Sequence, residues 1–125
     1  MISTDLEIRT KEFALAVIGF VRGLHGDRIS DILSYQLIRA GTSIGANYRE
    51  ARQAESPNDF IHKIGIVQKE AGETRYWLEL FQGAHIGDSQ EIESLLSEAS
   101  ELLAIFVSSG KTAKSNRQKA KLKSP

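Results

Sequence analysis

Apolar residues return along this chain every three or four positions, in four separate runs. In the first, Leu6, Phe13, Val17, Phe20 and Leu24 share one line of a 3.6-residue helix, and His25-Gly26 ends it. Thr4 and Glu7 have the spacing of a capping box at its start. The second run, Ile29, Leu33, Leu37, Ala40, Ile44 and Ala51, begins near Asp27. Ser56-Pro57 then marks a helix start: a serine cap, a proline at the first helical position, and Asp59 in the first turn against the macrodipole. From there Phe60, Ile64, Val67, Ala71, Thr74, Leu78 and Phe81 alternate steps of four and three. Ile86-Gly87-Asp88 breaks the chain, and Ile92, Leu95, Leu96, Ala99, Leu102, Leu103 and Phe106 form the last run. No stretch alternates with period two and no Asn-Gly turn occurs, so strands are not predicted. Four amphipathic helices with short connections predict an all-α, up-and-down antiparallel four-helix bundle over residues 1–107.

The segment 108–125 lacks that rhythm and is rich in lysine, which predicts a flexible, disordered tail. Charge changes the picture more than composition does. The net charge is zero, but residues 1–107 hold all 16 acidic residues and 10 basic ones, a balance of −6. The tail holds Lys111, Lys114, Arg117, Lys119, Lys121 and Lys123 without an acid, a balance of +6. A chain of 125 residues suits one domain. The absence of cysteine excludes disulfides and thiolate metal sites. The charged N-terminal dozen and the short apolar runs predict no membrane span and a cytoplasmic protein.

Glycine stands where helices are predicted. Gly41 and Gly45 share a face with Ile38, Tyr48 and Arg52, while Ile61, Gly65, Gln68, Gly72 and Tyr76 form a second stripe on the third helix. Each helical glycine is less favourable than alanine by about 1 kcal/mol, so these positions call for a packing reason. Close helix crossing within the bundle is one reading. The other is a subunit interface formed by Ile38, Gly41, Gly45, Tyr48, Ile61, Gly65, Gly72 and Tyr76.

Candidate chemistry narrows quickly. Gly41-x-x-x-Gly45 lacks the lysine and the preceding strand of a phosphate loop. Asp59-x-x-His62 is a single carboxylate-His element where a di-metal bundle needs two, with further glutamates, so no metal and no cofactor is expected. No Ser-His-acid set is suggested, so no catalytic residue is assigned. Ser43 and Asn47 read as part of a buried polar network that could include Trp77, and Glu70, Glu73, Arg75 and Glu79 as an ion-pair face. Arg39, Arg49 and Arg52, with Lys63 and Lys69, form either a basic patch or salt bridges to acids such as Glu50 and Glu55. The six tail cations either neutralise nucleic-acid phosphates or merely solubilise the chain.

The stretch from Arg39 to Phe81, above all Thr42-Ser43-Ile44-Gly45-Ala46-Asn47-Tyr48-Arg49-Glu50-Ala51, resembles the four-helix-bundle proteins encoded in 23S ribosomal RNA intervening sequences. That family is related to the accessory variability protein of diversity-generating retroelements. Many members read Asn-Ile-Ala-Glu-Gly where this chain has Asn47-Tyr48-Arg49-Glu50-Ala51, which marks a different branch. The resemblance implies a homopentameric barrel without enzymatic activity, and in the retroelement branch nucleic-acid binding and association with a reverse transcriptase. The resulting expectation is a non-catalytic homo-oligomer that binds RNA or DNA through the arginines of the second helix and the tail. The alternative is a protein–protein adaptor with no nucleic-acid role.

Overall fold

The computed structural model describes residues 2–123 as four consecutive helices: α1 Ile2–Arg22, α2 Arg28–Arg52, α3 Pro57–Gly83 and α4 Ser89–Lys123. Strands are absent among the described residues. Helices adjacent in sequence pack together, and α1 also touches α4 along a thinner seam. Side-chain pairs show the antiparallel sense. Gln68, Ile64 and Asn58, descending α3, meet Phe106, Gly110 and Arg117, ascending α4. Val17 and Thr10, descending α1, meet Gly41 and Gly45, ascending α2.

Side-chain caps set the turns, Ser56 among them as predicted. Asp27 precedes α2 in extended conformation and accepts the Ser30 backbone N–H at 2.8 Å. Ser56 does the same for α3, accepting from Asp59 at 3.1 Å with Pro57 in the first turn. Asp88 accepts the Glu91 N–H at 2.9 Å at the head of α4. Gly87 has φ +91°, and a Cβ there would lie 2.7 Å from the Phe20 ring, so this turn needs glycine for both conformation and space. The Thr4–Glu7 box is not the start of α1, because the helix already runs from Ile2; the Thr4 side chain lies outside the described residues. Glu7 instead faces Arg49 and Arg52.

The four apolar stripes meet in one core. Phe20 and Phe81 pack edge to face at 5.4 Å near one end, and Tyr48 tilts against Phe106 at 5.2 Å towards the other. Ile29 departs from the predicted stripe: it is 65% exposed, and Ser30 takes the buried position in the first turn of α2. The expected polar network is also replaced. Ser43 Oγ donates to the Arg39 carbonyl at 2.5 Å and Asn47 Nδ2 to the Ser43 carbonyl at 2.8 Å, both within α2. Trp77 Nε1 donates to Glu73 of its own helix at 3.5 Å.

The two glycine stripes have different fates. Cβ atoms on Gly41 and Gly45 would meet Val17 at 3.2 Å and Thr10 at 3.0 Å, so these glycines seat α1 against α2 within the chain. Tyr48, 5% exposed, is core, and Ile38 packs against the core. The assignment of Gly41, Gly45 and Tyr48 to a subunit interface is therefore corrected: these side-chain positions are consumed inside the protomer. On α3, Gly65 and Gly72 face open space, Tyr76 is 53% exposed and Ile61 is half-buried, so that stripe does lie at the surface.

The cap on α2 carries a pH signature. The Ser30 N–H holds the Asp27 carboxyl below its ordinary value of 3.8. The stabilisation is therefore present above that value and is lost as pH falls through the lowered one. Thermal melts are expected to drop below about pH 4, and Asp27→Asn should show a smaller drop than wild type over that window.

Candidate functional site

The largest correction to the sequence reading lies at the C-terminus. Instead of a disordered tail after Val107, α4 continues as one helix to Lys123, 35 residues and about 50 Å long. Residues 124–125 lie outside the described residues. The local chemistry accounts for this. Lysine, arginine, glutamine and alanine are strong helix formers, no proline intervenes before residue 125, and Lys121 and Lys123 oppose the negative end of the helix dipole. Tertiary contacts anchor the continuation. Gln68 Nε2 donates to the Phe106 carbonyl at 3.1 Å and lies over buried Gly110. Arg117 Nη1 donates to Asn58 Oδ1 at 3.0 Å, tying α4 to the first turn of α3.

The predicted basic residues divide into two populations. Arg39 pairs with Glu73 and lies 4.0 Å from Glu70. Arg49 lies 3.8 Å from Glu7, and Arg52 pairs with the same carboxylate. Arg39, Arg49 and Arg52 thus all follow the salt-bridge reading, though with acids on α1 and α3 rather than with Glu50 and Glu55. Lys63 pairs with Asp59 at 3.3 Å. By contrast, Lys111, Lys114, Lys119, Lys121 and Lys123 are exposed and have no ion pair among the described residues. The structure does not join Arg39 to Arg49 and Arg52, which lie 10 and 13 residues further along the helix. It does bring Arg52 and Arg117 to one feature.

That feature is a groove of about 550 Å³ between the α2–α3 turn and the end of α4. Tyr48 and Ala51 line it from α2, Pro57 and Phe60 from the start of α3, and Ala113, Asn116 and Ala120 from α4, with Arg52 and Arg117 beside them. Burial pushes the Tyr48 phenol above its ordinary value, so it stays neutral at physiological pH. Phe60, Asn116 and the two alanines were missed as site residues. A signal for them was present: Ala113, Arg117 and Ala120 extend the three-and-four spacing of Phe106 and Gly110. Among the described residues, no group of three or more His, Asp or Glu is placed to hold a metal ion. No described helix is long and apolar enough to cross a membrane.

The sequence profile of 23S rRNA-intervening sequence proteins matches residues 5–108, most of the bundle. The chain belongs to that family. A crystal structure at 1.70 Å of a protein of unknown function from the S23 ribosomal protein family of Bacteroides thetaiotaomicron has the same fold, with a TM-score of 0.79 and 38% identity. The match covers 89% of this chain and 99% of that one. No curated protein matches significantly. The family match stops at residue 108, before the first lysine of the α4 extension.

Proposed function

We propose that this member of the 23S rRNA-intervening sequence protein family is a non-catalytic homo-oligomer that binds RNA or DNA through the cationic end of α4. The observation that carries the reading is the contrast in pairing: Arg39, Arg49 and Arg52 are neutralised by Glu7, Glu70 and Glu73, while five lysines of the extension are exposed and have no ion pair among the described residues. A helix that fixes such charges in space presents phosphates with partners at set positions rather than a diffuse cloud.

Assembly is supported by apolar side chains that the protomer leaves at its surface. Ile8, Leu15, Ile32, Tyr35 and Tyr76 are each more than half exposed, and Gly65 and Gly72 leave gaps on α3 that another helix could enter. A closed ring, as the family resemblance implies, would gather several cationic ends and supply avidity.

The test is a salt titration of binding to labelled RNA, with the mass measured by light scattering on the same sample. The logarithm of affinity should fall against that of salt with a slope of about −3 to −5, for five or six neutralised phosphates. Five copies of the 13.8 kDa chain would give about 69 kDa (5 × 13.8). A flat salt response removes the electrostatic reading, and a single-copy mass removes the assembly. The same exposed apolar residues favour the rival adaptor role. Retention of a protein such as a reverse transcriptase, with no retention of nucleic acid at moderate salt, would select it.

A further inference from the structure

We propose that the groove beside the α4 extension seats one unstacked base of a single-stranded nucleic acid, the neighbouring phosphates lying along α4. The inference rests on the nucleic-acid reading above and adds the strand form that is recognised.

The groove lies where the end of α2, the start of α3 and the final turns of α4 come together. Near its start α1 lies beside Ile105, Ser108 and Ser109, with Asp5 sharing a hollow with them. The final turns of α4 run on past that point and over the α2–α3 turn. The result is a concave, mainly apolar surface over Tyr48, Ala51 and Phe60. Its volume of about 550 Å³ lies within the range of roughly 300–1,000 Å³ usual for small-ligand sites.

Its chemistry matches a base better than an aliphatic ligand. Phe60 packs against the core but is only partly buried, so it can offer aromatic surface to a planar ring. The alanines and Pro57 keep the walls low. Asn116 is exposed and its amide has no hydrogen-bond partner among the described residues, which leaves both a donor and an acceptor for a base edge.

Charge sets the path of the strand. Among the described residues no carboxylate lines the groove, and Arg117 stands at its edge with Lys114 and Lys121 three residues before and four after it on one face of α4. Arg52 is held by Glu7, so the phosphate contacts fall to α4. Across the α2–α3 turn lies a second hollow lined by Glu50, Glu55 and Asp59 beside Lys63, where a phosphate backbone is unwelcome. The strand therefore follows α4 instead of crossing the turn. A base paired within a duplex cannot enter such a groove without leaving its stack.

The experiment compares wild type, Phe60→Leu and Asn116→Ala as full chains. Fluorescence anisotropy would be read with a fluorescein-labelled single-stranded oligothymidylate and with a mixed-sequence duplex of equal length. Phe60→Leu keeps the apolar packing and removes the aromatic face. It should weaken single-strand binding at least about fivefold, with duplex affinity and salt slope unchanged. Asn116→Ala, at an exposed position, should weaken the single strand in the same selective way without a change in melting temperature. If both variants bind single strands like wild type while the salt slope persists, the groove proposal fails and the phosphate-binding reading stands. Equal losses on single strand and duplex overturn it as well. A wild type that binds neither oligonucleotide overturns both proposals. An acidic helical peptide that binds in a Phe60-dependent way where the oligonucleotide gives no signal overturns it in favour of a protein ligand.

Discussion

Changing Lys111, Lys114, Lys119, Lys121 and Lys123 together to glutamine is expected to weaken RNA binding about 100- to 1,000-fold near physiological salt. Each lysine that neutralises a phosphate releases a condensed counterion, and five such contacts on a single strand give an effect of that order. The fold should barely notice. These side chains are exposed, Gln is nearly as good a helix former as Lys, and Arg117 keeps its bond to Asn58. Only the last turn loses favourable charge against the helix dipole, at Lys121 and Lys123. Anisotropy titrations beside thermal melts check both halves of the expectation. Unchanged affinity would move the ligand surface off α4 altogether.

Phe106→Ala should have the largest effect on stability, a loss of about 3–5 kcal/mol. The ring is fully buried, tilts against Tyr48, and belongs to the residue whose carbonyl accepts from Gln68. Its removal leaves a cavity where α2, α3 and α4 meet, just before Gly110 carries α4 under Gln68. Against a total stability of about 5–15 kcal/mol for a typical domain, such a loss lowers the urea midpoint sharply. Leu122→Ala, at a leucine 76% exposed, should stay within about 0.5 kcal/mol of wild type. A Phe106→Ala midpoint as small in its shift as that of Leu122→Ala would mean that α4 is not locked into the core where the structure places it.

Much of the fold could be read before any coordinates, because local chemistry decides it. Ser56 caps α3 as its Ser-Pro signal indicates, α2 starts beside Asp27 as its apolar spacing indicates, and the Phe60–Phe81 stripe faces inward, with Phe60 itself only half-buried. The errors fall where the answer depends on a neighbour remote in sequence. Spacing shows that Gly41 and Gly45 lie on a flank of α2, but not that Val17 and Thr10 occupy the gap. It shows Arg39, Arg49 and Arg52 on α2, but not that Glu7, more than forty positions upstream of two of them, neutralises Arg49 and Arg52. The tail was misread for a different reason. Polarity suggested disorder, whereas Ala113, Arg117 and Ala120 quietly keep the helical phase and Asn58 supplies the anchor.

The continuous α4 also alters what a neutral chain means. With −6 over residues 1–107 and +6 over the remainder, a disordered end could fold back and blur the separation, but a stiff helix holds the positive pole away from much of the negative body. The molecule is then an electric dipole whose isoelectric point, near 6.8, conceals its ends. Such a protein should adhere to both anion- and cation-exchange media at one pH. It should also be least soluble at low ionic strength, where the pole of one molecule finds the flank of the next.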